Sequence, residues 1–360
     1  MKRFLCALVF GVVLFGCKKG DIYENNPRFI KYIGSEGEHH EVVWVKVDNV
    51  GNIITVSKVL PTSTYDSYGI ITMWSLSGNV VWSKKGPHGG LYNYHNNEFV
   101  ILGDKYYILD ENGNISYYPW IPPNQTGYEY GVIEGDTLIY TYDSAATYIC
   151  MKALNFKTYT TLWVSCLSDW KPDISYHETF KHTDGFVGVG YIEGVNDTFI
   201  VFKVDNTGRT KWVNKVGISA IIWDGIEAFD RGIVLVGDAG CPIVIKLDSL
   251  GNLQWFKKFC NAPNGRNWVF GFNTVSPTSD GKYFAFGYSS TCSCITAVKF
   301  DDYRNTPIIR EYIWGPYQSA MGSEPTPDGN IVVAGPCRFE GDKYHKTCLI
   351  KLDKDGNPVW

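Results

Sequence analysis

The chain has 360 residues, with 37 acidic against 33 basic side chains and a formal net charge of −4. That balance argues against the basic stripe a nucleic-acid interface needs, and against a polybasic face for anionic lipid. Aromatic residues make up 15%, glycines number 37 and methionines only four; with many Val, Ile, Thr and Tyr, this is the composition of an exported all-β protein able to bury a core.

The chain opens MKRFLCALVFGVVLFGCKKG. Lys2 and Arg3 form a basic segment, and Phe4 to Phe15 is an apolar run of signal-peptide length, too short to span a bilayer comfortably. Leu14-Phe15-Gly16-Cys17 resembles the lipobox of bacterial lipoproteins. The resemblance implies cleavage before Cys17 and acylation of that cysteine. Each buried CH₂ of the acyl chains contributes roughly 0.8 kcal/mol, so anchoring needs no membrane helix. Residues 1–16 therefore read as signal peptide, 17–26 as lipidated Cys17 and a short tether, and 27–360 as a single domain. The mature chain carries 31 Lys and Arg against 37 Asp and Glu. No Asp stands directly after Cys17, which favours the outer membrane over retention at the inner one.

Beyond the tether the first element is the strand-like PRFIKYIGSEG from Pro27. A hairpin motif then recurs, as MWSLSGNVVWSKKG from Met73, VFKVDNTGRTKWVNKVG from Val201, IVIKLDSLGNLQWFKKF from Ile243 and LIKLDKDGNPVW from Leu349. The shared pattern is apolar alternation, Lys-x-Asp-x-x-Gly-Asn, then an aromatic residue. That aromatic falls at Trp82, Tyr117, Trp163, Trp212, Trp255 and Trp360, with Ile308 in its place once, at intervals of 35, 46, 49, 43, 53 and 52 residues. Asp248 and Asp353 stand where a carboxylate accepts backbone hydrogen bonds, and Gly251 and Gly356 where positive φ is wanted: a type I turn closed by a glycine bulge. The alternating carboxylates and distant Glu of a calcium loop are missing. Each hairpin follows two more strands, such as AIIWDGIEAF and GIVLVGD. Periods of this length with four strands each indicate a β-propeller. Seven blades can be drawn, with eight as the alternative, and residues 27–34 are expected to close the ring beside the short C-terminal strand. The recurrent Trp is expected to wedge between blades.

Lys246 to Trp255 and Lys351 to Trp360 resemble the repeats of bacterial propeller lipoproteins with quinoprotein-like repeats. The likeness covers nearly all of 27–360. It implies the fold strongly and the function hardly at all.

Eight cysteines lie beyond Cys17, an even number in an exported chain. Cys150 and Cys166, and Cys241 and Cys260, sit symmetrically about turns; Cys337 and Cys348 flank the loop between the second and third strands of the last blade. These three pairs are expected to bond. Cys292 and Cys294 remain, read either as a reduced or weakly bonded loop pair or as a redox or metal pair.

No nucleophile elbow, HExxH, phosphate loop or dinucleotide fingerprint occurs. The adjacent Cys pair and catalytic set of quinone-dependent propellers are absent. The seven histidines read as solvated loop residues. No cofactor or metal is expected, and no catalytic residue is assigned. What remains is the face where connectors between blades meet the loops between second and third strands. His88, Tyr92, Trp120, Trp170, Trp223, Asp224, Arg266, Trp268 and Tyr317 are candidates to ring the channel mouth there, with Tyr128 among their neighbours. The expected function is a non-catalytic envelope lipoprotein that binds or scaffolds another protein. A surface binder of glycans or small ligands is the alternative, and a channel-mouth enzyme a weaker one.

Overall fold

Runs of alternating β-branched and aromatic residues, cut by Asp/Asn/Gly turns, fold locally as hairpins and stack as sheets. The computed structural model describes residues 21–24, 30–35, 37–61, 67–94, 97–103, 105–118, 131–144, 148–167, 178–191, 198–261, 270–301 and 307–360. Blade 1 comprises Glu38–Val47, Ile53–Pro61, Tyr68–Trp74 and Val80–Gly86; blade 2 Gly90–Asn93, Phe99–Leu102, Tyr106–Leu109 and Ile115–Tyr118; blade 3 Val132–Glu134, Thr137–Ser144, Tyr148–Asn155 and Thr160–Leu167. Blade 4 comprises Glu178–His182, Gly185–Tyr191, Phe199–Val204 and Thr210–Val216; blade 5 Ile221–Glu227, Ile233–Asp238, Pro242–Leu247 and Leu253–Lys258; blade 6 Phe272–Pro277, Tyr283–Ser289, Cys294–Phe300 and Ile308–Ile313. In each, the first strand a is innermost and the last strand d is at the rim. Blade 7 has a broken inner strand, Tyr317–Gln318 and Gly322–Pro325, then Ile331–Arg338 and Lys346–Leu352. The inner strands touch in sequence around the ring, and blade 7 meets blade 1. The chain is thus a seven-bladed β-propeller, as its repeat period indicates.

Closure uses both ends of the described chain. Lys31–Ile33 pairs antiparallel with Thr347–Leu349 on the outside of blade 7. The C-terminus takes the other half of the same edge: Leu352 bridges to Pro358, and Lys351 exchanges backbone hydrogen bonds with Val359 and Trp360. Each of two short segments covers half a strand that would otherwise expose unpaired N–H and C=O groups. Residues 21–24, assigned by sequence to a tether, instead form a strand. Asp21–Glu24 pairs parallel with Arg310–Ile313 and gives blade 6 a fifth strand.

The repeated turn behaves as its chemistry demands. Asp248 Oδ1 accepts from the N–H groups of Leu250 at 2.9 Å and Asn252 at 2.8 Å, while Asn252 Nδ2 donates to Asp248 Oδ2 at 3.0 Å. Gly251 has φ +79°. Its second role lies between blades. A Cβ on Gly251 would fall 2.5 Å from the Trp212 ring of the preceding blade, and one on Gly208 2.5 Å from Trp163. The same contact joins Gly113 to Trp82 and Gly78 to Trp360. The indoles of Trp82 and Trp360 also donate to carbonyls of the next turn, Glu111 at 3.0 Å and Leu76 at 3.1 Å. Below each indole, apolar clusters run across the seams, as where Val201, Val216, Ile222 and Leu235 join blades 4 and 5.

The motif lysine has a role its position alone does not reveal. Lys203, Lys246, Lys299 and Lys351 are nearly sealed from solvent, yet each pairs with an Asp in the turn between strands a and b of its own blade. The partners are Asp184, Asp230 (2.8 Å), Asp280 (2.7 Å) and Asp328 (2.6 Å). Buried charge is tolerated because it is paired. The equivalent strand-c positions in blades 1, 2 and 3 hold Met73, Tyr107 and Ala153, opposite Trp82, Tyr117 and Trp163.

The structure sets Cys150 directly opposite Cys166, with Cα atoms 4.1 Å apart, and pairs Cys241 with Cys260 and Cys337 with Cys348. It also pairs Cys292 with Cys294.

Two outcomes are expected. Gly251→Ala, which forces a side chain into left-handed backbone and into Trp212, lowers unfolding free energy by roughly 2 kcal/mol or more in denaturant titration. Asp230→Ala strands the Lys246 ammonium and costs roughly 1–3 kcal/mol, whereas adding Lys246→Met to it recovers most of the loss.

Candidate functional site

On the face where blade connectors and b–c loops emerge, five rings from three blades form a row. His39 begins strand a of blade 1. His345 ends the b–c loop of blade 7, Tyr317 opens that blade, Tyr288 lies near the end of strand b in blade 6, and Phe270 precedes the same blade. Successive centroids lie 4.6 Å apart for His39 and His345, 4.3 Å for His345 and Tyr317, 5.2 Å for Tyr317 and Tyr288, and 5.7 Å for Tyr288 and Phe270. His345 and Tyr317 are parallel to within 7°. Backbone bonds fix the row: His40 N donates to His345 O at 3.1 Å, and Gln318 N to Ser293 O at 2.9 Å. Phe270 is 51% exposed and the other four rings are half-buried. Phe270 also holds φ +87°, an uncommon conformation for a bulky residue and one that accompanies functional positions. Burial, with His39 and Arg338 nearby, pushes His345 down to about 4, so it stacks as a neutral ring at physiological pH.

A second group lines the channel. Lys46 of blade 1 pairs with Glu324 of blade 7. Burial opposes the Lys46 charge, but Glu324 outweighs it and holds the ammonium above its usual value. Glu178 and Asp224 sit on the same rung of neighbouring inner strands, opposite Val189 and Val236. Burial, reinforced by Asp224, raises Glu178 well above the carboxylate range. Burial pushes Asp224 up to about 6, against hydrogen bonds from Val275, Thr274 and Gly225 that favour its charge. Asp224 accepts from the Gly225 N–H at 2.7 Å and the Val275 N–H at 2.8 Å, tying blade 5 to blade 6. Among the described residues, these carboxylates do not converge closely enough to share one cation.

A third group has the composition of a catalytic set but not its access. His40 Nδ1 lies 2.7 Å from Thr347 Oγ1, which also meets Ser57 Oγ, and His40 Nε2 is 3.9 Å from Glu38 Oε2. His40, Thr347 and Ser57 are fully buried, so the network joins blade 7 to blade 1 out of reach of solvent. The expectation that every histidine is a solvated loop residue fails here. His40 is sealed, and His182 is buried against Asp184 at 2.8 Å and Lys203 at 3.0 Å. Inner strands are covered on both faces, so alternation does not expose them.

The candidates drawn from sequence scatter. Tyr317 lies in the aromatic row. His88 Nε2 is 3.0 Å from Ser67 Oγ in the connector after blade 1. Tyr92 is buried between blades 2 and 3, its hydroxyl accepting from the Gly131 N–H at 3.3 Å. Trp223 is half-buried at a bulge beside Asp224. Trp120, Tyr128, Trp170, Arg266, Trp268 and Cys17 lie outside the described residues. His39, His345, Tyr288, Phe270, Glu178, Lys46 and Glu324 were not singled out from sequence. The Gly-Tyr ending shared by two b strands, Gly190-Tyr191 and Gly287-Tyr288, is the one local signal that marks any of them.

Burial pushes His40 down to about 4, with Glu38 opposing and His39 adding to the effect. A histidine depressed in the folded state leaves stability intact above its unfolded value near 6.5 and withdraws it as pH falls toward 4. Glu178 and Asp224, raised in the folded state, act oppositely. Unfolding titrations of wild type and His40→Asn between pH 7 and 4 are therefore expected to diverge, the variant losing less stability by roughly 2–3 kcal/mol at pH 4.

No protein-family model matches the sequence, and no curated protein does. Solved structures do resemble it. The Dos1 propeller is 13% identical with TM-score 0.50, over 85% of this chain and 80% of that one. An acylaminoacyl peptidase in complex with Z-Gly-Gly-Phe-chloromethyl ketone is 9% identical with TM-score 0.53, over 89% of this chain and 52% of that one. The acylaminoacyl peptidase of Pyrococcus horikoshii is 10% identical with TM-score 0.51, over 82% of this chain and 49% of that one. The chain spans about half the length of each peptidase. At such identities the likeness speaks to architecture, and the architecture shared is the β-propeller.

Proposed function

We propose that this protein is an exported, lipid-anchored β-propeller of the bacterial envelope that binds another envelope protein without catalysis. The observation that carries the reading is the row from His39 to Phe270, contributed by blades 1, 7 and 6. Aromatic side chains supply large contact area at low entropic cost and dominate binding hot spots. Five rings already packed face to face or tilted against one another lose little further freedom when a partner covers them. The lipobox-like Leu14 to Cys17 supports the anchor, and placement in the outer membrane goes with it. The second reading is a glycan or small-ligand binder. It is favoured by the uncharged Phe270 ring at the end of the row, 51% exposed, an apolar surface of the kind a sugar face packs upon.

Crosslinking capture of the full lipoprotein from its native membrane tests both. One stoichiometric envelope protein is expected, with capture reduced at least about tenfold by Tyr317→Ala with His345→Ala. Undiminished capture by that variant would remove the aromatic row from the reading. Absence of any protein partner, with glycan binding that the same variant abolishes, would establish the second reading instead.

A further inference from the structure

Blade 6 gathers onto one face a set of side chains that the binding reading leaves unused. Cys294 and Thr296 are two residues apart on strand c, so they share a face. Ser289 is the cross-strand partner of Cys294, and Glu311 that of Thr296, which places both on that face too. The sulfurs of Cys292 and Cys294 and a carboxylate oxygen of Glu311 all lie within 4.8 Å of one another. Among the described residues this is the one such group of three. Cys294, Ser289 and Thr296 are fully buried, Glu311 is 4% exposed, and only Cys292 reaches solvent in part. Among the described residues the hydroxyls of Ser289 and Thr296 have no hydrogen-bond partner. Each such buried orphan costs about 1–3 kcal/mol, so two of them beside a buried carboxylate and two sulfurs require a reason.

We propose that Cys292, Cys294 and Glu311 form a redox-gated site for a thiophilic divalent cation of the zinc class. With the two sulfurs bonded to each other the site is closed. A dithiol reductant opens it: its thiolate attacks the accessible Cys292 Sγ, the Cys292–Cys294 bond breaks, and Cys294 leaves as the thiolate. The second thiol of the reductant then displaces Cys292, and the reductant departs as its own disulfide, having given two electrons and two protons. Binding of the cation releases the two thiol protons. Two thiolates and one carboxylate supply three of the four ligands zinc prefers, and water reaching past Cys292 supplies the fourth. The Ser289 and Thr296 hydroxyls stand beside this set as donors to thiolate and carboxylate, the outer-shell role that orients metal ligands. The loop carrying Cys292 is held by the Ser293 carbonyl, which accepts from Gln318 N–H, so the site is mechanically joined to the aromatic row through Tyr317.

Cobalt(II) is the probe. The full chain, reduced with a dithiol under native conditions and then freed of it, is titrated with Co²⁺ while thiolate-to-metal absorption is read. One equivalent is expected to bind, to be displaced by Zn²⁺, and to give no band before reduction. Cys292→Ser with Cys294→Ser, which leaves the other three cysteine pairs in place, is expected to abolish the band. The isosteric Glu311→Gln is expected to weaken binding at least about tenfold with the fold unchanged by circular dichroism. No band in the reduced wild type, an equal band in the double variant, or Glu311→Gln binding as tightly as wild type would each overturn the proposal.

Discussion

The contact between a turn glycine and the tryptophan of the preceding blade is the constraint on which the ring depends. A propeller blade cannot bury both faces alone. Its outer edge must find the next blade at a fixed spacing, and here the spacing is set by an indole lying on a backbone that carries no Cβ. Gly251 on Trp212, Gly208 on Trp163, Gly113 on Trp82 and Gly78 on Trp360 repeat this around the ring. The exceptions are informative. Between blades 6 and 7, where Ile308 replaces the Trp, the Tyr312 hydroxyl reaches the Gly356 carbonyl at 2.8 Å. Between blades 2 and 3 the contact is absent: Tyr117 is 62% exposed, and the turn from Asn155 to Thr160 has no glycine, with Tyr159 left-handed at φ +58°. That seam relies on the Tyr106–Phe156 stack, 4.0 Å between centroids, and on Tyr94 of blade 2, whose hydroxyl donates to Asp136 of blade 3 and whose ring lies under Lys157.

A second asymmetry follows the same line. Blades 4 to 7 each carry a buried lysine tied to a turn aspartate, and blades 1 to 3 carry none. A buried ion pair adds little net stability but penalises any register in which its partners separate. Lys246 and Asp230 therefore fix strand c against the a–b turn more stringently than Met73 or Ala153 can. The half of the chain with the most regular motif is also the half with the most stringently specified register.

Much of this was legible because it is local. The Asp-x-x-Gly turn is read from five residues, and the facing of Cys150 and Cys166 follows from counting outward along paired strands from the turn between them. The wedge role of Trp follows from its period. The candidate site was not legible, for a physical reason. His39 and His345 lie 306 residues apart and meet only because the ring closes between them. Strand alternation, reliable for a sheet with one wet face, misplaces His40 and His182, since an inner strand has none. Tyr92 reads as a surface aromatic on a connector, yet it is drawn inward by the short strands of blade 2. Asp224 lies on an inner strand, and its carboxylate is occupied by two backbone N–H groups of blades 5 and 6.

The strand Asp21–Glu24 bears on how the molecule is held. It lies parallel along Arg310–Ile313 at the rim, on the path from residue 17 to the ring. A pull directed along that strand loads its ladder bonds together in shear, instead of peeling them one at a time. From Cys17 to Asp21 the chain extends at most about 14 Å. An anchor at Cys17 would therefore keep the first residue of that strand, at the rim of blade 6, within about that distance of the bilayer. Asp21 pairs with Arg310, on the side of the c–d turns, so the opposite face, which bears the aromatic row, would be turned away from lipid and open to a partner.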